Sequence, residues 1–173
     1  NNDTLDGLSG VDTLVGGTGS DFYINDIVSN GSGGFKLQDV MTELAGEGID
    51  TLSAVKADDT VLNTRYTVVL TPHFDNLILY DIVPNDVSWL LDGKGNDLAN
   101  RMDGNANGNK LEGLNGNDLL YGWNGNDTLI GGGNVDRLWG GNGNDILNYD
   151  SADTLIDGGA NTDTLKLTGM NIM

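Results

Sequence analysis

The sequence predicts an all-β solenoid of stacked parallel coils, and three observations predict it. Nine-residue units of the form Gly-Gly-x-Gly-x-Asp-x-Leu-x recur in fixed phase. Each unit joins a glycine-rich turn to a three-residue strand with an apolar centre. No stretch of useful length carries a helical period. A short strict repeat means that every unit solves the same packing problem against its neighbours, which is the signature of a stacked array.

The chain divides into four stretches. Residues 1–24 are repeat: a truncated NNDTLD whose Asp3 and Leu5 keep the phase, then GLSGVDTLV (7–15) and GGTGSDFYI (16–24). Residues 25–89 lose the strict period. They keep short β-rich runs at Lys36–Val40, Asp50–Val55, Tyr66–Leu70, Leu77–Tyr80 and Val87–Leu91. Met41–Ala45 offers one helical turn at most. One unit here, AGEGIDTLS (45–53), restores the phase with Asp50 and Leu52, so this spacer is expected to continue the solenoid rather than leave strand edges open. Residues 90–166 return to repeat. A worn GNDLANRMD (95–103) and GNANGNKLE (104–112) lead into four units in unbroken phase from Gly113 to Asn148. A degraded unit (149–157) and GGANTDTLK (158–166) follow, and residues 167–173 begin the next segment. The chain starts mid-repeat and stops after strand-like sequence, so it is expected to be part of a longer protein.

The unit has a physical logic. Glycine reaches positive φ without steric penalty, and Asn and Asp tolerate it, so the first six residues form a turn. The next three form a strand whose middle side chain faces inward, the place of Leu14, Leu111, Leu120, Leu129, Leu138, Leu147 and Leu165. Two units close one coil, and successive coils lie about 4.8 Å apart. The resulting core is thin. Burying one Leu contributes about 2 kcal/mol, whereas ordering nine residues costs several times more.

The sixth position is the expected source of the missing stability. Residues two units apart stack, so Asp118 lies beside Asp136, and Asp127 beside Asp145, which neighbours Asp163. Such carboxylates repel unless a cation stands between them. Calcium takes 6–8 oxygens at about 2.3–2.6 Å, including backbone carbonyls that glycine-rich turns leave uncovered. Magnesium demands tighter octahedral geometry. Zinc prefers His or Cys, and this chain has one His and no Cys. Several Ca²⁺ ions are therefore the expected cofactor.

Composition sets outer bounds. With 8 Lys+Arg against 26 Asp+Glu, the net charge is −18, which argues against nucleic acid or an anionic membrane as partner. Acidity with 6% aromatic residues also marks chains that stay disordered. Disorder without a cation and folding with one are compatible. Without cysteine there is no disulfide or thiolate site, which suits a secreted calcium protein. The apolar runs are too short to span a bilayer.

These units resemble the RTX (repeat-in-toxin) calcium-binding nonapeptides, and the strict match covers about two fifths of the chain. The resemblance implies a right-handed parallel β-roll/β-solenoid with calcium between turns two units apart. It implies carbonyl ligands from the early turn positions and carboxylate ligands from the sixth. Carried over, these are Gly113, Asn115, Gly116 and Asp118; Gly122, Asn124, Gly125 and Asp127; Gly131, Gly133 and Asp136; Gly140, Asn142, Gly143 and Asp145; and Gly158, Ala160 and Asp163. Asn109 stands where the motif has Asp, so its turn should pair weakly. Asn100 weakens the first coil in the same way, and the unit with Asp150 and Asp153 lacks glycines. At the N-terminus Asp3, Asp12 and Asp21 have the right phase. The family further implies type I secretion from Gram-negative bacteria, with folding on extracellular calcium at dissociation constants of about 10⁻⁴–10⁻³ M.

Other residues carry little chemistry. His73 has no visible catalytic partner and is expected in a loop, and no serine sits in a GxSxG elbow. Trp89, Trp123 and Trp139 offer a platform for carbohydrate or a partner, although capping or edge packing is the expected role. Met170 and Met173 have no clear role. The function expected is that of a non-enzymatic calcium-binding module in a large secreted or surface protein: an adhesin, filament or S-layer component, with self-assembly or a cell-surface glycan as partner. The alternative is an export and folding tail of a secreted enzyme or toxin whose active part lies elsewhere.

Overall fold

The computed structural model of the chain describes residues 1–29, 35–56, 65–80 and 91–168. Alternating turn and strand chemistry gives short strands throughout and no helix among the described residues. They are β1 (Thr4–Asp6), β2 (Thr13–Val15), β3 (Phe22–Ser29), β4 (Phe35–Leu37), β5 (Val40–Thr42), β6 (Thr51–Lys56), β7 (Tyr66–Val69), β8 (Asn76–Tyr80) and β9 (Leu91–Lys94). The C-terminal part adds β10 (Arg101–Asp103), β11 (Lys110–Asn115), β12 (Leu119–Asn124), β13 (Thr128–Gly133), β14 (Arg137–Asn142), β15 (Ile146–Tyr149), β16 (Leu155–Ala160) and β17 (Thr164–Leu167).

Alternate strands pair in parallel, so the fold is a parallel β-roll. One sheet runs β1-β3-β6-β8-β10-β12-β14-β16, and a second runs β17-β15-β13-β11-β9-β7; β2 and β5 form a separate parallel pair. The first of these sheets carries a single inward ladder along its length: Leu5, Tyr23, Leu52, Leu77, Met102, Leu120, Leu138 and Ile156. The facing sheet presents Val68, Gly93, Leu111, Leu129, Leu147 and Leu165. Most of these side chains are fully buried. Gly93 fits because Met102, Leu77 and Leu111 already fill the space its side chain would need.

The coil length is 18 residues where the repeat is strict, as between Asp118 and Asp136. It widens to 29 between Asp21 and Asp50 and to 25 between Asp50 and Asp75. The strands β6 and β8 of the spacer thus lie in the same sheet as the repeats. Part of the first extra length is taken up by β4, which folds back antiparallel on the extended end of β3, with Ile27 opposite Leu37. This is the one antiparallel pair among the described residues, and it splits the expected Lys36–Val40 run into β4 and β5 with a bend at 38–39. Of the expected Val87–Leu91 run only Leu91 is described, and Trp89, Met170 and Met173 also lie outside the described residues. Leu165 departs from its expected inward role. It pairs with Leu147 on the last strand and is 52% exposed, because no further described coil covers it.

Candidate metal centre

The turn positions two kinds of oxygen over the first glycine of the units that begin at Gly113, Gly122 and Gly140. The second turn residue adopts positive φ, whether it is Leu114 (83°), Trp123 (73°) or Gly141 (108°). That reversal brings the sixth residue back over the first. A Cβ on Gly122 would stand 2.5 Å from the Gly140 carbonyl oxygen, and closer still to Asp127 Oδ2. The same pair recurs at Gly113, with Asp118 Oδ2 and the Gly131 carbonyl at 2.6 Å, and at Gly140, with Asp145 Oδ2 and the Gly158 carbonyl at 2.5 Å. Glycine occupies the first position because carboxylate and carbonyl oxygens fill the place of its side chain.

Backbone amides fix the carboxylates in a ladder. The Asp118 N–H donates to Asp136 Oδ1 at 2.8 Å, Asp127 to Asp145 at 2.8 Å, and Asp145 to Asp163 at 3.0 Å. Asn100 and Asn109 donate in the same way to Asp118 and Asp127, each at 2.7 Å. Each of these aspartates thus has one oxygen tied to the preceding coil. The other oxygen of Asp118, Asp127, Asp136 and Asp145 is buried without a hydrogen-bond partner. A buried carboxylate oxygen left unpaired is expensive unless something positive meets it. Burial pushes the Asp118 and Asp127 carboxyls up to about 7 and that of Asp136 up to about 6. The amide hydrogen bonds pull them down, and the stacked neighbouring carboxylates add to the rise. Asp145 is raised for the same reasons. Such an array of hard oxygens around unpaired negative charge fits calcium.

The expected site residues fall into distinct groups. The turns 113–118 and 131–136, 122–127 and 140–145, and 140–145 and 158–163 lie side by side, bringing Asp118, Asp127, Asp136, Asp145 and Asp163 together with the glycines that cradle them. The third-position residues sit within the strand ladders, Asn115 opposite Gly133, and Asn142 between Asn124 and Ala160. The carbonyls of Asn142 and Ala160 accept the N–H groups of Gly125 and Gly143, at 2.9 and 3.3 Å. Gly116 stacks on the backbone of Leu98. Asn109 behaves differently from a ligand. Its side-chain nitrogen donates to the Leu91 carbonyl at 2.6 Å and its oxygen accepts the Asn105 N–H at 2.8 Å. Asn100 likewise donates to the Phe74 and Asp75 carbonyls. At these two positions an amide N–H meets the carbonyls, so the turns stay neutral.

Asp153, Asp39 and Asp75 take aspartate places that the repeat pattern did not assign to the site. Asp153 occupies the sixth-position place next to Asp136, accepting its N–H at 2.9 Å from a register 17 residues on rather than 18. Asp12, which has the right phase, donates its N–H to the buried Asp39, 27 residues away, at 3.0 Å. Asp75 continues the row Asp3–Asp21–Asp50–Asp75, each accepting the N–H of the one before at 2.7–2.8 Å. The available signal was weak: each of these aspartates directly precedes a short β-rich run, but without the glycines that mark a turn.

The model of the RTX calcium-binding nonapeptide repeat, in four copies, matches residues 1–23, 103–138 and 125–156. These segments are RTX calcium-binding nonapeptide repeats. The RTX match runs across the degraded unit to residue 156, which agrees with Asp153 standing in the aspartate row. RTX repeats are typical of secreted proteins of Gram-negative bacteria. No curated protein matches the chain. No helix among the described residues is long and apolar enough to cross a membrane.

The RTX block also carries aromatic side chains on its outer face. Tyr121 stacks on Trp139 with ring centroids 4.6 Å apart, Trp123 lies 6.0 Å from Tyr121, and Arg101 covers the Tyr121 ring at 4.8 Å. Trp123 donates its indole N–H to Asp103 at 3.0 Å and remains 53% exposed. His73 takes positive φ in the turn before β8.

Proposed function

We propose that this chain is a calcium-stiffened RTX module of a large secreted or cell-surface bacterial protein of adhesin, filament or S-layer type. It contributes structure and contact surface rather than catalysis. The carrying observation is the row of buried, unpaired oxygens on Asp118, Asp127, Asp136 and Asp145. Without a cation these oxygens oppose folding, and a net charge of −18 adds self-repulsion. In the low calcium of a cytoplasm the chain stays open and can be exported by type I secretion. In the higher calcium outside, binding free energy becomes folding free energy. The outward stack of half-buried Trp139 and Tyr121 with exposed Trp123 supports a contact role for the outer face, toward a glycan or a second copy.

Circular dichroism of the chain in chelator and through a calcium titration tests the reading. The expected result is little β-structure in chelator and a cooperative gain in the high-micromolar to millimolar range. Full β-structure in excess chelator, unchanged by calcium, overturns it. Sedimentation in calcium then separates the two parent classes: a lattice or filament component self-assembles, and an enzyme tail stays monomeric.

A further inference from the structure

We propose that Glu43, a carboxylate from outside the nonapeptide pattern, joins the repeat aspartates Asp21 and Asp50 and the Tyr23 hydroxyl in a calcium site of altered ligand set, at the point where the first repeat block joins the widened coils. Each of the three carboxylates offers an oxygen within 4.8 Å of the others, and all three residues are buried. Glu43 belongs to no repeat unit. It follows β5, and the wide coil between β3 and β6 delivers it to the cradle of Gly16.

That cradle is the repeat's own, with one oxygen exchanged. A Cβ on Gly16 would stand 2.5 Å from Glu43 Oε1, 2.6 Å from the Tyr23 hydroxyl and closer still to Asp21 Oδ2. At Gly122 and Gly140 the corresponding space is shared by an aspartate oxygen and a neutral carbonyl. Here a second carboxylate replaces the carbonyl, so the local charge is higher. Asp21 Oδ2 and Glu43 Oε2 are buried with no hydrogen-bond partner. None of the ion pairs among the described residues reaches the cluster.

The remaining atoms are held for the task. Asp21 Oδ1 accepts the Asp3 N–H at 2.7 Å and Asp50 Oδ1 the Asp21 N–H at 2.8 Å, leaving the second oxygens of each side chain to the cluster. The Tyr23 hydroxyl accepts the Gly16 N–H at 2.6 Å and donates to Glu43 Oε1. Three carboxylates and a phenol oxygen are hard donors, and a hard divalent cation turns their mutual repulsion into attraction. The choice of calcium rests on the reading of the repeats; the existence of the site does not. Its occupation would tie β3, β5 and β6 together across the coil where the strict register breaks.

The test uses the whole chain. Crystals grown in calcium and soaked in terbium should give an anomalous peak between Asp21, Glu43 and Asp50, besides peaks at the Asp118–Asp145 turns. Equilibrium dialysis should find one calcium ion fewer per chain in Glu43→Gln, and in Tyr23→Phe a severalfold weaker site. Asp127→Asn should lose binding in the C-terminal block alone. Peaks at the C-terminal turns with none at the cluster, or unchanged stoichiometry and affinity in Glu43→Gln, overturn this site and leave the repeat reading standing. Absence of peaks everywhere overturns both. Should Glu43→Gln fail to fold in calcium, the map of the unaltered chain decides alone.

Discussion

At the residue scale, the sixth position carries either of two chemistries and the first position a third, and each predicts a different response to calcium. Asp127 presents a buried unpaired oxygen, Asn109 presents an amide whose N–H already meets the Leu91 carbonyl, and Gly122 holds the space open. Asn109→Asp removes a donor and adds a carboxylate. It should weaken the metal-free fold by about 1–3 kcal/mol through the unpaired buried group, and should steepen the calcium-induced folding curve by adding an ion. An unchanged steepness in a calcium titration followed by circular dichroism would count against the amide's role as cation substitute. Gly122→Ala probes the cradle directly. Its φ is not in the left-handed region, so any loss comes from the Cβ pressing on Asp127 Oδ2 and the Gly140 carbonyl. Calcium affinity should fall at least about tenfold, roughly 1.4 kcal/mol, whereas Gly17→Ala, with nothing within 4 Å of its Cβ, should show only backbone strain. Equal losses in the two variants would sink the cradle account.

At the element scale, stability is carried by neighbours in register, not by any strand alone. A short strand such as β13, with one inward Leu, has no independent core, so Leu129 acts only between Leu111 and Leu147. Leu129→Ala should cost about 2–5 kcal/mol and shift the calcium midpoint of folding upward, while Leu165→Ala, already half exposed, should move it little. A Leu165→Ala effect as large as that at Leu129 would place another coil over β17. The strict units were legible in the sequence because their aspartate and leucine recur at a constant interval, and that interval is the pairing register of β11 to β15. The wide coils were not. Asp75 follows Thr71-Pro72-His73-Phe74 rather than a glycine turn, and Tyr23 and Phe74 pack edge to face at 5.1 Å where a Leu would otherwise stand. Once a coil may have 25 or 29 residues, periodicity alone no longer says which strands meet, and Glu43 could be found only through three dimensions.

At the scale of the whole molecule, protons and calcium compete for the same row of oxygens, and the sign of the competition follows from the direction of the shifts. Burial holds Asp118 and Asp127 up to about 7, Asp136 up to about 6, and Asp145 above its usual range, whereas in the open chain all four ionise near 4. The folded roll therefore binds protons more tightly than the open chain does, so metal-free stability falls as pH rises. That stability is fully present below about 4 and is lost progressively as pH climbs through about 7. Lowering the pH also relieves part of the −18 net charge. In chelator, acidification from pH 7.5 to 5 should then bring back part of the β-structure. In calcium the effect reverses: the protonated carboxyls must lose their protons before the ion enters, so the calcium midpoint should rise between pH 7.5 and 5.5. Circular dichroism across a grid of pH and calcium measures both slopes at once. If acid unfolds the metal-free chain further, or if calcium binds as tightly at pH 5.5 as at 7.5, the paired burial and ligation of these aspartates is wrong. With opposite slopes, the roll closes when its buried aspartates are neutralised, by protons in acid and by calcium, whose coordination suits these oxygens, at neutral pH.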